Sequence, residues 1–308
     1  SMTALDYRTA GESHGHSMIA LVEGMPAGLT VDVEWIDAEL KRRQGGYGRG
    51  GRMKIEQDRV AILSGLRRGV TIGSPIVLQI ANKDFRIDDA PPIHRPRPGH
   101  ADLAGSLKWL TTDCRDVIER ASARETAARV AAGALTRSLL REFGIEIVGY
   151  VVQIGKVVGT VPFGFGVREL LEARNGNEAY CPDASAAEVM IEEIRQAKID
   201  KDTVGGVVEV QVHGLPPGLG SCMRRQDKLD GRLMQAVGSV QAIKGVEIGA
   251  GFAVAGRPGS QVHDPIDYDA NLRGTPCLGF TRRSNHAGGL EGGMTNGQPI
   301  VIRAAMKP

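Results

Sequence analysis

The chain has 308 residues, of which 42% are hydrophobic and 4% aromatic, and its formal net charge at pH 7 is +2. This length is enough to bury a large core, whereas near-neutral charge and few aromatic residues argue against nucleic-acid binding. No apolar run approaches the roughly 18 residues of a transmembrane helix, so no membrane span is predicted. Four widely separated cysteines without a Cys-x-x-Cys pair argue against a zinc ribbon or a disulfide framework and favour a cytoplasmic protein. Ser1-Met2 is interpreted as the remnant of a cleaved tag, and no signal peptide is predicted behind it.

The first distinctive segment is Gly11-Glu-Ser-His-Gly15, which is followed by a predicted strand over residues 17–23. It matches the Gly-x-Ser-x-Gly elbow of an esterase, but that elbow needs a helix after the serine, so we reject a serine hydrolase. His14 and His16 alternate as on a strand and are able to share a face as metal ligands, although no third ligand is evident. A loop histidine that acts as a general acid or base fits His14 as well.

A short helix is predicted over residues 36–44, and it leads into a glycine-rich, basic loop over residues 45–52. The loop contains a Gly-x-Gly-x-x-Gly fingerprint, but no βαβ unit surrounds it, so we reject a Rossmann domain. Its glycines would let the backbone approach a ligand while Arg43, Arg49 and Arg52 supply positive charge. A solvated hinge loop is the alternative.

Two short strands are predicted over residues 60–65 and 76–80, joined through a turn that contains glycine. Further along, Pro96 and Pro98 stiffen the backbone immediately ahead of His100. A histidine held in this way is suited to act as a general acid or base, and a purely structural histidine is the alternative.

The next segment predicts a long helix that begins near Ser122 and ends at Phe143-Gly144. Ser122 and Glu125 have the spacing of a capping box, and an apolar stripe of helical period follows them. Arg120 and Arg124 flank this helix N-terminus, whose free backbone N–H groups favour a phosphate or a carboxylate. A plain capped helix with solvated arginines is the alternative.

The C-terminal half alternates strand and helix patterns without a clean linker. Strands are predicted over residues 145–158, 205–212 and 300–304 and helices over 186–197 and 229–241, whereas residues 159–185 are predicted to be loop-like. Near the end, glycines at positions 288, 289, 292 and 293 would let the backbone touch a planar ligand, with a mobile turn as the alternative.

Five motifs taken together closely resemble the chorismate synthase family. They are Gly11-Glu-Ser-His-Gly15, Arg97-Pro-Gly-His-Ala-Asp102, Arg120-Ala-Ser-Ala-Arg-Glu-Thr126, Lys244-Gly-Val-Glu-Ile-Gly249 and Asn285-His-Ala-Gly-Gly289 with Asn296-Gly-Gln298. The resemblance implies an α+β fold, a β-α-β sandwich with a helical core layer between antiparallel sheets, as a single domain over residues 1–308 and a homotetramer. Because that family continues past Lys307-Pro308, a C-terminal segment with a catalytic acidic residue and an arginine is expected to be missing from this sequence.

The resemblance also implies an activity, a cofactor and partners. The expected reaction is the elimination of phosphate and a C6 proton from 5-enolpyruvylshikimate 3-phosphate, which gives chorismate and requires reduced FMN without net redox change. NADPH or another donor would supply the electrons, and the sequence leaves open whether the protein reduces its own flavin or depends on an external flavin reductase. A truncated homologue that binds flavin but is inactive is the alternative.

The site residues are carried over by position from the family motifs. His14 and His100 match the two catalytic histidines, and Arg43, Arg49, Arg52 and Arg124 match substrate-binding arginines. The positions that match flavin contacts are Arg43, Arg49, Arg120, Ala121, Ser122, Gln241, Ala242, Gly292 and Lys307, and no metal is expected. An arginine-rich site suits these ligands, because the substrate carries two carboxylates and a phosphate and the flavin carries another phosphate. In this assignment His14 protonates the departing phosphate and His100 keeps the flavin in its reactive protonation state.

Overall fold

The computed structural model describes residues 5–50, 57–161 and 164–308. The described residues form two compact units, one up to Gly45 and from Arg49 to Leu139, the other over Gly46–Gly48 and from Leu140 to Pro308. Every strand pairing recorded among these residues is antiparallel, so the chain is α+β as predicted. None of the described helices is long and apolar enough to cross a membrane. The single-domain boundary and the sandwich layering stay predictions.

The first unit contains one mixed set of strands and helices. Its strands are β1 (Asp6–Ala10), β2 (Ser17–Glu23), β3 (Val60–Ile62), β4 (Leu66–Arg67), β5 (Val70–Thr71) and β6 (Ile76–Ala81), and its helices are α1 (Val33–Gln44), α2 (Asp102–Trp109), α3 (Arg115–Ala121) and α4 (Thr126–Glu142), whose last turn belongs to the second unit. Four strands form a sheet in the order β1-β2-β6-β3, whereas β4 and β5 form a separate hairpin.

The core of the first unit is built from one face of this sheet together with helices α1 and α4. Alternate residues of β2 are buried, from Met18 to Val22, as expected for a strand with one face in the core. Helix α4 buries Ala127, Ala131 and Leu135, which lie on one helical face and form the apolar stripe that the sequence predicts. The core therefore anchors the segment before β2 and the start of α4, which carry much of the candidate site.

The second unit is organised on a five-stranded sheet in the order β10-β15-β9-β7-β8. Its strands are β7 (Glu146–Ile154), β8 (Val157–Val158), β9 (Gly206–His213), β10 (Ile243–Ile248), β11 (Ile266–Tyr268), β12 (Phe280–Arg282), β13 (Leu290–Glu291), β14 (Met294–Thr295) and β15 (Ile300–Met306), and its helices are α5 (Val167–Asn175), α6 (Ala184–Ile199) and α7 (Leu229–Gly238). Leu170 of α5 is buried in the same hydrophobic cluster as Tyr150 of β7, and Leu233 of α7 packs against a cluster that contains Ile302 of β15.

Most predicted elements are present, but several bounds differ, since β3 ends at Ile62 rather than at residue 65 and α7 ends at Gly238 rather than at residue 241. Two further differences have identifiable reasons. Residues 159–185 are not all loop, because α5 lies within them; its N-cap, Gly166, makes no side-chain capping hydrogen bond, so the sequence carries no start signal there. Helix α1 begins at Val33 rather than at residue 36, because the Asp32 side chain accepts a hydrogen bond from the Trp35 N–H and caps the helix earlier.

Candidate active site

His14 lies in the loop between β1 and β2, and its side chain contacts two carboxylates. Its Nδ1 is 2.9 Å from Oε1 of Glu119, and its Nε2 is 3.6 Å from Oδ2 of Asp84. The backbone N–H of His14 donates to Oε2 of Glu119 at 2.7 Å, and the N–H of Ser13 donates to the Glu119 carbonyl at 2.8 Å. The loop is therefore fixed on helix α3 through both the backbone and the carboxylate of a single residue.

The prediction that His14 and His16 lie on a strand is wrong. Both precede β2, which begins at Ser17, and the chain turns here because the N–H of Gly15 donates to the Glu12 carbonyl at 3.1 Å. The His16 ring packs on Phe85, with 5.0 Å between the ring centroids, so it does not pair with His14. Within residues 5–50, 57–161 and 164–308, no group of three or more His, Cys, Asp or Glu side chains is placed to hold a metal ion.

Arg120, at the end of α3, is exposed and hydrogen-bonds only to neutral acceptors among the described residues. Its Nη1 donates to the Gly11 carbonyl at 3.0 Å, and its Nη2 donates to both the carbonyl and the hydroxyl of Thr9 at 2.8 Å. Among the residues that the structure describes, no carboxylate forms an ion pair with this guanidinium, so none of them balances its positive charge. An exposed guanidinium in this state is suited to bind an anion.

Ser122 caps the beginning of the next helical segment, as its place in the capping pattern predicts. Its Oγ accepts a hydrogen bond from the Arg124 N–H at 3.2 Å and donates to Oγ of Ser13 at 3.2 Å. The capped element is a 3-10 turn over Ala123–Glu125, however, and α4 itself begins at Thr126. Ser122 therefore joins the start of this helical segment to the residue before His14.

Arg124 is buried, and its charge is compensated by a buried carboxylate. Its Nη1 donates to Oδ2 of Asp58 at 2.7 Å and its Nε donates to Oδ1 of Asn82 at 2.8 Å. Its side chain is 6% exposed and that of Asp58 is 0% exposed. The Nη2 of Arg124 has no hydrogen-bond partner among the described residues. Contact of Arg124 with substrate stays a prediction, and its visible role is to hold the chain around Asp58.

Arg43 connects the last turn of α1 to the first turn of α4. Its Nε donates to Oγ1 of Thr126 at 2.9 Å, its Nη2 donates to the Ala123 carbonyl at 3.1 Å, and its Nη1 is 3.5 Å from Oδ2 of Asp58. The same first unit contains Arg49, whose Nε donates to the Gly45 carbonyl at 2.7 Å. The predicted site residue Arg52 lies outside the described residues.

His100 lies in a turn immediately before α2, and an ion pair between exposed Arg97 and buried Asp102 closes that turn. The Nδ1 of His100 is 3.0 Å from the Pro98 carbonyl, which can only accept a hydrogen bond, so Nδ1 carries the hydrogen. Asp102, which is buried, accepts hydrogen bonds from the backbone N–H of Arg97 at 3.0 Å and from its Nε at 2.9 Å. These contacts with Arg97 hold the pKa of Asp102 below its ordinary value of 3.8. The stiffness expected from the prolines is thus reinforced by an ion pair.

The second unit brings together three of the predicted flavin contacts. The N–H of Lys307 donates to the Ala242 carbonyl at 3.0 Å, and Gln241 precedes Ala242 directly in the chain. Ala242 has a φ of +69°, a conformation that is uncommon for a residue with a Cβ. The fourth contact, Gly292, lies in the turn between β13 and β14, where a Cβ would meet no atom closer than 4.0 Å.

Two glycines singled out for ligand approach are required by the packing of the chain itself. A Cβ at Gly48 would lie 2.6 Å from Cγ2 of Ile194, and a Cβ at Gly289 would lie 2.5 Å from the Pro299 carbonyl oxygen. Their φ angles, +76° and +77°, are also in the left-handed region. Contact with a ligand is not needed to explain these two positions, and neither is a solvated hinge loop at Gly48 or a mobile turn at Gly289.

A cavity of about 590 Å³ lies beside α1, and its lining carries charges of both signs. Its described lining contains the carboxylates of Glu34, Asp37 and Asp58 and the cations of Lys41 and Arg59. This lining is unsuited to a ligand with several anionic groups, because like charges that meet in a cavity repel each other.

Three carboxylates that hold segments of the candidate site in place through hydrogen bonds were not identified from the sequence. Glu119 holds His14, Asp58 holds Arg124, and Asp264 accepts hydrogen bonds from the N–H groups of His286 and Ala287 at 2.8 and 3.0 Å. Only Glu119 had a local signal, since it follows Arg115 by four residues on a helix and pairs with it. The other two contacts join segments that are distant in the sequence.

Comparison with known proteins identifies relatives along the whole chain. The family model described as chorismate synthase matches residues 5–308. A chorismate synthase of Desulforamulus reducens is 52% identical, with 99% of this chain and 80% of the relative covered, and one of Symbiobacterium thermophilum is 52% identical, with 98% and 80% covered. A crystal structure of a chorismate synthase superposes with a TM-score of 0.85 at 43% identity and covers 100% of this chain and 86% of its own.

Proposed function

The chain belongs to the chorismate synthase family, and on this premise we propose that it is a carbon–oxygen lyase acting on a phosphate ester. The proposed substrate is 5-enolpyruvylshikimate 3-phosphate, which loses phosphate and the C6 proton in an anti-1,4-elimination to give chorismate. Reduced FMN is the proposed cofactor, and no net oxidation or reduction takes place. This reaction belongs to the shikimate pathway of aromatic amino acid biosynthesis.

One structural observation about the site residues supports the proposal. Arg120 and His14 are tied to the same short segment, because Arg120 donates to Thr9 and Gly11 and His14 follows three residues after Gly11. The flavin phosphate needs a cation that stabilises its charge, and the departing phosphate needs an acid that protonates its oxygen. An exposed guanidinium without a described carboxylate partner and an imidazole held on the same segment have the required chemistry.

The donor groups also fit reduced FMN, whose phosphate and polar ring need cations and hydrogen-bond donors. In the first unit we assign this role to Arg43, Arg49, Arg120, Ala121 and Ser122, and in the second unit to Gln241, Ala242, Gly292 and Lys307. The fit rests on the charge of Arg120, on the open space beside Gly292 and on the hydrogen bond between Lys307 and Ala242. When bound, reduced flavin would supply electron density to the substrate and accept the proton from C6.

The two histidines are assigned to proton transfer at their Nε2 atoms. The Nδ1 of His14 is held by Glu119, so Nε2 is the atom from which a proton passes to the departing phosphate. The Nδ1 of His100 is held by the Pro98 carbonyl, so Nε2 is the atom that holds or exchanges the proton on which the reactive state of the flavin depends. Arg49 and Arg124 are assigned to the substrate, together with Arg43 and Arg52.

The remaining assignments are part of the same proposal. The protein acts as a homotetramer in the cytoplasm, and NADPH or another donor supplies the electrons, either directly or through an external flavin reductase. No nucleic acid, membrane or metal takes part.

The experiment that tests the proposal compares oxidised and reduced flavin. We expect no turnover with oxidised FMN, and many turnovers for each reduced flavin under anaerobic conditions, with phosphate released in equal amount to chorismate. An FMN analogue with carbon in place of N5 should bind but not support turnover, because that position is the proposed proton acceptor.

Two results would contradict parts of this proposal. Product formation with oxidised FMN in reductant-free buffer, or oxidation of one flavin for each product, would overturn the mechanism. Flavin binding without any turnover would favour the inactive homologue.

A further inference from the structure

Glu119 uses both carboxylate oxygens to hold one histidine. Oε1 is 2.9 Å from Nδ1 of His14 and accepts from Nη1 of Arg115 at 3.2 Å, while Oε2 accepts from the His14 backbone N–H at 2.7 Å. The residue is 3% exposed, so the carboxylate is shielded from solvent. We propose that Glu119 is the positioning residue of His14, which fixes both the orientation of the imidazole ring and the nitrogen that carries its hydrogen. The catalytic consequence rests on the role proposed above for His14.

The tautomer follows from the chemistry of the contact. An ionised carboxylate only accepts hydrogen bonds, so the Nδ1 of His14 must carry the hydrogen that lies between the two groups. In the neutral ring, Nε2 then has the lone pair and is the atom able to take up and release a proton. The Oδ2 atom of Asp84 lies 3.6 Å from Nε2, a distance that is too long for a direct hydrogen bond. Glu119 thus selects which nitrogen exchanges protons with the substrate.

The carboxylate is itself held in place from several directions. Arg115 lies four residues earlier on α3 and pairs with Glu119 on the same helical face. The Nε of Arg115 also donates to the Pro91 carbonyl at 2.8 Å, which anchors the guanidinium. The Glu119 carbonyl accepts from the Ser13 N–H, so the backbone of the histidine loop and the backbone of α3 are joined as well. A buried carboxylate with this support holds a catalytic ring more firmly than a solvated one.

A purely structural role for Glu119, that of fastening the loop, predicts a different result from the positioning role. If Glu119 only fastens the loop, its replacement should loosen the loop without changing which ring nitrogen of His14 carries the hydrogen. If Glu119 positions the ring, its replacement should change the tautomer of His14. The substitution Glu119→Gln separates the two roles, because it keeps the shape of the side chain and leaves one amide oxygen for three donors. These donors are Nδ1 and the N–H of His14 and Nη1 of Arg115.

The experiment records side-chain ¹⁵N–¹H correlation spectra of protein labelled with ¹⁵N at histidine, under alkaline conditions where imidazoles are ordinarily neutral. His14 is assigned by the signal that disappears in His14→Gln. In the wild-type protein we expect hydrogen on Nδ1, and in Glu119→Gln we expect the Nε2–H tautomer to appear. Turnover of Glu119→Gln should fall roughly 10²- to 10⁴-fold while KM changes less than about threefold, since ring orientation and not ground-state binding is lost.

Glu125→Gln is the matched control. Glu125 is also 3% exposed and also pairs with an arginine four residues away, Arg129, and its carboxylate accepts a second hydrogen bond from the Thr9 hydroxyl. We expect Glu125→Gln to lose a similar ion pair and to keep the wild-type signals of His14.

The spectra decide the proposal without reference to activity. A wild-type His14 that carries its hydrogen on Nε2 overturns it, even if Glu119→Gln does not fold. Unchanged Nδ1–H signals in a folded Glu119→Gln protein overturn it as well. Failure of the proposed function would appear instead as absent turnover in a wild-type protein whose His14 has the expected tautomer.

Discussion

The guanidinium of Arg124 and the carboxylate of Asp58 form a buried ion pair with 2.7 Å between Nη1 and Oδ2. Asp58 is 66 residues earlier in the chain than Arg124, and the pair fastens the segment before β3 to the 3-10 turn before α4. Arg43 approaches the same Oδ2 from α1 at 3.5 Å. One carboxylate therefore sets the positions of two arginines that the family motifs assign to the substrate.

Removal of Asp58 should destabilise the protein strongly. In Asp58→Ala the buried Arg124 loses its counter-charge, and breaking a buried pair from one side costs about 3 to 5 kcal/mol. The free energy of unfolding, measured in urea, should fall by this amount. The control is Asp267→Ala, which breaks the exposed pair between Asp267 and Arg283 and should leave the urea midpoint nearly unchanged. A loss below about 1 kcal/mol for Asp58→Ala would show that the pair is not important for stability.

Replacement of the exposed arginines should weaken anion binding with little effect on folding. We expect Arg120→Ala to weaken FMN binding and Arg49→Ala to weaken substrate binding, each by about 1.5 to 3 kcal/mol, the range for a lost charge-assisted hydrogen bond. Titration calorimetry measures both affinities. Arg124→Ala is unsuitable for this test, because loss of the buried pair with Asp58 would lower stability at the same time.

The control for the arginine experiment is Arg168→Ala. Arg168 lies on α5 and forms an exposed i,i+4 pair with Glu172, so its loss removes one exposed positive charge that is not among the predicted site residues. Affinities that fall equally in Arg168→Ala and Arg120→Ala would indicate a general charge effect rather than a specific anion site.

Replacement of either candidate catalytic histidine should abolish most turnover and preserve the fold. We expect His14→Ala and His100→Ala to bind FMN and substrate and to lose roughly 10²- to 10⁴-fold in turnover. The double variant should lose less than the product of the two single losses if both residues serve one transition state. Steady-state kinetics and circular dichroism measure the two properties.

His94→Ala provides a closely matched control for the histidines. His94 is exposed in the same unit, and its Nδ1 is 2.9 Å from the Thr112 carbonyl, which repeats the contact of His100 with Pro98. We expect normal turnover in this variant. Unfolding of His14→Ala or His100→Ala would instead support a structural role for that histidine.

Acid should weaken the turn that holds His100, because the pKa of Asp102 is lower in the folded protein than its ordinary value of 3.8. A lowered folded pKa means that the ionised carboxylate favours folding. The contribution is therefore complete above the unfolded pKa and is lost as the pH falls through the folded pKa. Urea midpoints measured from about pH 6 to pH 2 should show Asp102→Asn less stable than wild type at the upper end, with the difference shrinking below about pH 4. A difference that stays constant over this range would mean that Asp102 does not titrate with folding.

The sequence predicted those elements whose pattern is local. Strand β2 has the predicted bounds, Ser17–Glu23, because a continuous apolar run of strand length lies between these two polar residues. Helix α4 has the predicted apolar stripe and ends at Glu142, just before the predicted stop. The sequence failed at α5, which has no capping side chain, and at His14 and His16, whose alternation is interrupted by a turn. The local pattern was absent or misleading at these places.

The sequence by itself determined the family, the α+β class and which residue types are available for binding anions, because motifs and periodicity are properties of consecutive residues. Only the tertiary structure decided which of those residues are held, and by what. Glu119 and His14 are separated by 105 positions and Asp58 and Arg124 by 66, yet each pair is in hydrogen-bond contact. Arg120 and Arg124 are four residues apart and look equivalent in the sequence. However, Arg120 is exposed and donates to neutral acceptors, whereas Arg124 is buried and pairs with a carboxylate. The difference arises because burial and counter-charge come from segments distant in the chain, and a linear pattern does not record those contacts.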